Sequence, residues 1–328
     1  ARLRPAAPRD MGQKCAHESC FAEDQLNHSG RCLPEHYSFK FGVHTFTEDV
    51  AGISVPSLDY RTPGELDPAA KQPSYFDREL AELDSLPSRL GSTDGPRPRV
   101  KFRTGATYEG QWKGHMRHGF GTMRWSDGTM YQGQWKHNRA EGLGCFDHSD
   151  GDRYIGSWKQ NVAHGPGIYY HKGTTTYAGE WANDTQDGYG VEIWEEGSRY
   201  EGHYSCGQKD GVGVYQWPDG AQYIGAWSGN CFSGTGMYAG RDGRWFKGRW
   251  QESVLHGIGR YSWPDGREYS GQYVLDKKDG FGIFKWPDGR RYEGGWLNGK
   301  RSGLGMLYEA DGSVCAGRWA NGEQLRKE

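Results

Sequence analysis

From about residue 101 onward the chain repeats one alternation of apolar and polar positions. In Tyr108-Glu109-Gly110-Gln111-Trp112, residues Tyr108, Gly110 and Trp112 fall on one face and Glu109 and Gln111 on the other. That period of two is the signature of a half-buried strand. A second run puts Gly121, Met123 and Trp125 on one face, with Thr122 and Arg124 opposed. Asp127-Gly128 follows, where glycine supplies the positive φ of a reversal without steric cost. The pattern predicts a β-hairpin.

The unit recurs at a fixed step. Tyr-x-Gly-x-Trp begins at Tyr108, Tyr131, Tyr154 and Tyr177, returns as Tyr200-x-Gly202-x-Tyr204, and continues from Tyr223, Phe246, Tyr269, Tyr292 and Cys315, always 23 residues apart. A Gly-x-Gly column keeps the same step from Gly119 to Gly303, and the Asp-Gly turn recurs at Asp127, Asp150, Asp219, Asp242, Asp265, Asp288 and Asp311. A constant period of this length marks a repeat array. Glycine inside a strand weakens it, so the recurrence of Gly110 predicts an aromatic ring lying over the missing side chain. The fold class expected is an all-β repeat protein, an elongated twisted single-layer array of antiparallel β-hairpins built from about ten repeats. Two strands per repeat at roughly 4.8 Å give a length of about 90 to 100 Å. The last copy stops half-way, after Trp319, in the charged Arg326, Lys327 and Glu328, which reads as a blunted edge.

Tyr-x-Gly-x-Trp, a His/Asp-Gly-x-Gly loop and an Asp-Gly turn at 23-residue spacing resemble the MORN (membrane occupation and recognition nexus) repeat over roughly residues 101 to 320. The resemblance implies a rod-like array of antiparallel hairpins. It leaves function open, since such arrays occur in junctophilins, radial-spoke heads, cytoskeletal scaffolds of protists, plant phosphatidylinositol phosphate kinases and a SET-domain lysine methyltransferase. In those two enzyme families the catalytic domain is a separate segment, and nothing of that size stands outside the repeats here.

Composition separates two materials. All 14 Trp lie beyond position 101, and only seven of the 52 Gly lie before it. Two domains are therefore expected, an irregular extension over 1–99 and the array over 100–328, with the Pro- and Gly-rich stretch 88–99 as a linker or an extended lead-in. Within the extension, Ser74 to Leu86 reads as one amphipathic helix: Ser74 and Asp77 suit an N-terminal cap, Phe76, Leu80, Leu83 and Leu86 share a face, and Pro87 stops it. The reading preferred for this helix is that it lies against the first repeat and covers the open sheet edge; docking on a partner is the alternative.

Charge then limits the function classes. With 40 Lys+Arg against 42 Asp+Glu, the chain lacks the basic excess of a nucleic-acid binder. An apolar fraction of 34 % and a mean hydropathy of −0.92 leave no apolar run long enough to span a bilayer, and the first twenty residues hold no secretory signal. A soluble, cytoplasmic protein is expected, at the cytoskeleton, a cilium or the membrane periphery. Ala1 in place of Met fits a fragment or a processed end.

Candidate chemistry is sparse. The Gly-x-Gly runs lead into strands rather than helices, which argues for structural turns over a phosphate cradle. The residue before each run alternates His and carboxylate (His118, Glu141, His164, Asp187, Asp210) and suits loop hydrogen bonding. Cys15, Cys20, Cys32 and His36 carry ligand types that hold zinc, but their spacing fits no compact template, and the competing reading is unlinked cysteines in a reducing compartment. Seven cysteines, an odd and scattered set, argue against a disulfide framework. No nucleophile with a base and no cofactor motif emerges, so no enzyme and no cofactor is expected.

One electrostatic feature stands apart. Lys113, Lys136 and Lys159 occupy identical repeat positions, joined by Arg117, His118, His137 and Arg139, while later repeats place neutral residues there. This basic stripe is a candidate docking site for an acidic protein surface or an anionic lipid headgroup. Two readings of function follow. The first is a non-enzymatic scaffold that binds partner proteins along a rigid β-rod in a cytoskeletal, axonemal or membrane-associated assembly. The second is a membrane-targeting or regulatory module binding phosphoinositide or phosphatidic acid, such as the non-catalytic part of a phosphatidylinositol phosphate kinase. Homo-oligomers, paired end to end or side by side, fit either.

Overall fold

The computed structural model describes residues 74–84 and 94–325; Cys15, Cys20, Cys32 and His36 lie outside the described residues. The array divides after Asn230 into two compact units. The first carries strands β1 (Gly95–Lys101) to β12 (Gln222–Ser228), and the second β13 (Cys231–Ala239) to β21 (Glu323–Gln324). Within each unit consecutive strands pair antiparallel, as the 23-residue period predicts.

The first repeat shows how its residues make the hairpin. In β2 (Thr107–Lys113), Tyr108 and Trp112 are buried and Glu109 and Gln111 exposed; in β3 (Met116–Arg124), Gly121 and Met123 face inward. Tyr108 donates its hydroxyl to the Gln111 carbonyl at 2.9 Å, which lays the ring flat across its own strand. A Cβ on Gly110 would meet the Gly121 Cα first, then the Phe120 carbonyl oxygen at 2.6 Å and the Tyr108 hydroxyl at 2.8 Å, so the backbone of the facing strand closes over Gly110; the ring itself covers Gly121, where a Cβ would stand 2.6 Å from Cε2. Tyr108 then meets Trp112 at 5.0 Å and Trp135 of the next repeat at 5.5 Å, both edge to face. Tyr131 repeats the pattern with Trp135 and Trp158, so the aromatic spine is a zipper from one repeat to the next.

The two glycines of Gly-x-Gly serve different ends. The β2–β3 register slips between Gly110 and Trp112, which makes the run around Gly119 a bulge inside the strand rather than a turn. Gly119 takes φ 68° there, a conformation side chains resist. The chain reverses instead at two borders. Trp125 to Thr129 forms the Asp-Gly loop, closed by Gly128 N donating to the Trp125 carbonyl at 3.1 Å. At the opposite border, two-residue turns such as His137-Asn138 take positive φ at both positions. Asn138 also accepts the Arg117 amide at 2.7 Å through Oδ1, and Asn161 and Asp184 do the same for Ala140 and Ala163. These side chains tie each turn to the repeat before it.

The N-terminal elements depart from expectation. In place of one helix from Ser74 to Leu86, a single 3-10 turn (Tyr75–Asp77), capped by Ser74 Oγ, precedes a short helix α1 (Leu80–Asp84). The break follows from what the segment must reach. Phe76 and Glu79 both point into the array, three residues apart, while Leu80 stays half-exposed. Nor does the segment cover the sheet edge: it lies across the inner face of the first three repeats. The edge is taken by β1, drawn from the stretch read as a linker. Pro96 and Pro98 sit in a strand whose described partner is β2 alone, with a register shift between Arg97 and Val100. Proline is tolerated there because no second described strand needs its amide, and the shift blunts further pairing. The array thus begins at Gly95 rather than at residue 100.

Candidate interaction surfaces

Three surfaces arise from this frame. On the turn border, Lys113, Lys136, Lys159 and Arg139 are exposed, and Lys136 stands opposite Arg139 across the hairpin. His118 and His137 lie with ring centroids 5.4 Å apart beside them. Arg117 does not join this stripe. It is fully buried, its guanidinium 4.3 Å from the Trp135 ring centre, with Nη2 donating to the Asn138 carbonyl at 2.8 Å and to the Phe76 carbonyl at 3.3 Å. Burial pulls its pKa down to about 10, opposed by the charges of Glu79, Tyr108 and Asp77, which leaves it a cation at neutral pH. Strand alternation decides the difference: Arg117 shares the inward face of β3 with Met123, whereas Arg139 is the flanking residue of its turn.

The second surface is the open face. The bulge turns the middle residue of each Gly-x-Gly outward, exposing Phe120, Leu143, Tyr189 and Val212 in the first unit and Ile258, Phe281 and Leu304 in the second. Beside this row, Ile155 opposes Ile168, Ile168 opposes Ala178 and Ala178 opposes Val191. The signal for the row is in the sequence, as an apolar residue recurring between paired glycines. Reading those glycines as turns passes over it.

The third surface is the inner face, held in the first three repeats by residues 74–84. Phe76 enters a hole among Trp125, Tyr131, Trp135, Phe146 and Trp158, at centroid distances of 5.2 to 5.8 Å. Glu79, fully buried, accepts from Thr104 Oγ1 at 2.9 Å and from Trp125 Nε1 at 3.2 Å. Asp77 accepts from Asn161 Nδ2 at 3.2 Å. Three repeats along, the corresponding hole is plugged from within. Lys209 Nζ lies 4.8 Å from the Trp194 ring centre and 5.1 Å from that of Tyr200, and bonds Glu192 at 3.1 Å. Tyr204, in the place of a tryptophan, donates to the same carboxylate; burial, with Glu192 adding to it, raises that hydroxyl well above its ordinary range.

The column before Gly-x-Gly does bond loops where it is acidic: Glu141, Asp187 and Asp210 accept from Gln160, Cys206 and Gly229 of the following turns. Among the described residues no three metal-ligating side chains converge, and no helix is long and apolar enough to cross a membrane.

Geometry of this kind defines a tandem β-hairpin repeat protein. The MORN repeat model matches residues 108–130, 131–153, 154–175, 177–199, 200–222, 246–266, 269–290 and 292–314, and the chain belongs to the MORN repeat family. No curated protein matches it. Among solved structures, the TCP10 domain of Danio rerio CPAP is 15 % identical, with 59 % of this chain and 91 % of that one covered and a TM-score of 0.34. The TCP domain of Drosophila melanogaster SAS-4, in complex with a proline-rich motif of Ana2, is 13 % identical over 70 % of this chain and 97 % of that one, with a TM-score of 0.27. Virginiamycin B lyase from Staphylococcus aureus reaches 11 %, 69 %, 84 % and 0.14 in the same measures. At such scores none of these likenesses bears on what the chain does.

Proposed function

We propose that the chain is a non-enzymatic scaffold of the cytoplasm, binding partner proteins repeat by repeat on the open face of its hairpin array, in a cytoskeletal, axonemal or membrane-associated assembly. The observation that supports this reading is the row Phe120, Leu143, Tyr189 and Val212, exposed on the first unit where solvation alone favours polar residues. Exposed apolar side chains that recur in register, rather than singly, mark an interaction surface. The test is retention of proteins from native lysate on the full chain, compared with a Leu143→Asp, Tyr189→Asp, Val212→Asp chain. Loss of a reproducible protein set in the triple variant is expected; an unchanged set would overturn the reading.

The basic stripe favours a second reading, recruitment to phosphoinositide or phosphatidic acid. Lys113, Lys136, Lys159 and Arg139 are exposed together, whereas Arg117 is committed to the core. Flotation with anionic liposomes separates the two readings. Lipid recruitment through these side chains should weaken steeply with salt and vanish when the three lysines become Glu. Apolar contact on the open face should do neither.

A further inference from the structure

One inward column decides how each hole on the inner face is filled. It runs from Arg117 in steps of 23 residues and carries larger side chains except at Ala140 and Ala163. A large side chain there lies against the rings around it. Phe232 stands 5.6 Å from the Trp250 ring centre, much as Phe76 stands 5.5 Å from that of Trp158. The ring set of the first site also recurs six repeats along. Trp263, Tyr269, Phe284 and Trp296 stand there in the places of Trp125, Tyr131, Phe146 and Trp158, and Lys278 Nζ lies 4.8 to 5.5 Å from all four ring centres. In the first site Ala140 holds the position of Lys278. The same rings are left open, and Phe76 enters them at 5.2 to 5.8 Å from outside the repeats.

The entering segment is recognised by more than its bulk. Arg117 Nη2 donates to the Phe76 carbonyl at 3.3 Å, Trp125 Nε1 and Thr104 Oγ1 donate to the Glu79 carboxylate, and Asn161 Nδ2 donates to Asp77. Yet residues 74–84 form helical turns and no strand, so their departure breaks no ladder of the sheet. Their connection to β1 is long. Glu82 accepts from Arg103 N at 2.8 Å, beyond the Lys101 end of β1, and Asp94 accepts from Gly114 N at 2.8 Å, at the Gly95 end. β1 covers about 20 Å at roughly 3.3 Å per residue, and residues 85–93 reach up to about 30 Å, enough to close on the same chain or to cross to an adjacent one.

We propose that the inner face of the first three repeats is a self-recognition site, at which residues 74–84 of a second copy of this chain exchange with the chain's own. The second copy then supplies Phe76 and Glu79 to a site that is incomplete without them. Closed and exchanged forms contain the same contacts, so proximity selects between them. A tether of this length holds its own segment at an effective concentration of roughly millimolar order. Exchange is expected where copies are held at that density, side by side in an assembly, and not in dilute solution. The inference goes beyond the scaffold reading and does not depend on the open-face row.

The test uses two full chains, each lacking one half of the contact. The acceptor carries Phe76→Ala with Glu79→Ala, which disarms its own segment and leaves its site open. The donor carries Ala140→Lys, which installs the plug that Lys278 provides in the later ring set and frees an intact segment. Mixed at micromolar concentration, the two are expected to form a one-to-one complex by sedimentation, with hydrogen-exchange protection returning to the acceptor's first three repeats. Adding Glu79→Ala to the donor, or Trp125→Phe to the acceptor, should weaken the complex about tenfold or more. Thermal melts establish that each chain folds. If the donor does not, a fluorescently labelled peptide of residues 74–84 takes its place, and saturable binding to the acceptor with the same dependence on Glu79 is expected. Three results would overturn the site: no complex and no peptide binding; a complex unchanged by Glu79→Ala in the donor, which puts the contact elsewhere; or equal association of the donor with itself, which needs no open site. Peptide binding without a complex between chains would overturn the second copy as the occupant. Leu143→Asp, Tyr189→Asp and Val212→Asp in both chains should leave the complex intact, so failure here and failure of the open-face reading are separable.

Discussion

The inner face is built on one plan across the first three repeats and again from the fourth onward, and it is finished in two ways. In the first, Phe76 fills the aromatic hole and Arg117 and Trp125 spend their donors on residues 74–84. In the second, Lys209 fills the hole, Glu192 and Tyr204 satisfy it, and Trp194 and Gln186 are left without acceptors. Filling by phenylalanine needs only burial of apolar surface, whereas a buried cation must recover its lost hydration from a partner carboxylate. The repeat frame accepts either, so the few variable inward positions decide how each region is filled.

The largest expected effect tests what the two regions share. Burial raises the hydroxyls of Tyr108, Tyr131, Tyr154, Tyr177, Tyr200 and Tyr223 above their ordinary value of 10.0. A folded-state pKa raised in this way leaves stability intact below the unfolded value and removes it as pH climbs beyond. Melting temperature followed by circular dichroism should be flat to about pH 9 and then fall steeply from about pH 10, as the unfolding free energy drops by several kcal/mol overall. A melting temperature unchanged to about pH 11 would contradict the buried-hydroxyl spine.

Next come the two fillings, which should fail differently. Phe76→Ala opens a cavity and should cost about 3–5 kcal/mol in urea denaturation, with hydrogen-exchange protection lost in the first three repeats. Lys209→Ala should cost a similar amount, roughly 3–5 kcal/mol, because Glu192 stays buried without its cation. Restoring an apolar pair, Lys209→Met with Glu192→Leu, should return most of that stability, and no second substitution should rescue Phe76→Ala so simply. If the Lys209 double variant is no more stable than Lys209→Ala, the ion pair is not what fills the hole.

Smaller and equal effects are expected where the plan is identical. Gly133→Ala and Gly202→Ala each set a Cβ 2.5 Å from the Cα of the facing glycine, Gly144 or Gly213. Each should cost about 1–3 kcal/mol, and by the same amount in both regions. Smallest of all, Asn138→Ala and Asn230→Ala remove one turn-to-repeat hydrogen bond each and should cost about 1 kcal/mol. Unequal costs within either pair, measured by the same denaturation, would show that the two regions differ in their frame as well as in their filling.

Much of this was legible in the chain. Tyr108, Gly110 and Trp112 announce a strand, the 23-residue step announces an array, and the glycine in the strand announces a close approach, made at Gly110 by the facing backbone and at Gly121 by the Tyr108 ring. The interaction surfaces were legible only in part. Lys113, Lys136 and Lys159 share an exposed column as their spacing implies, but Arg117, four residues from Lys113, turns inward because the intervening turn changes strand and parity. The Pro-rich stretch before Lys101 looks like a linker or an extended lead-in by composition, and becomes β1 because no second described strand asks for the amides that Pro96 and Pro98 lack.

What the sequence by itself determined is therefore the repeat: contacts closed within 23 residues, or between one repeat and the next, are written as local alternation, turn residues and period. What only the tertiary structure decided is how the inner face is finished. Phe76 meets its hole, and Arg117 its acceptor 41 positions away, through the meeting of two non-periodic segments. No pattern within either encodes that contact, because whether a buried donor is satisfied depends on an acceptor arriving from elsewhere in the fold.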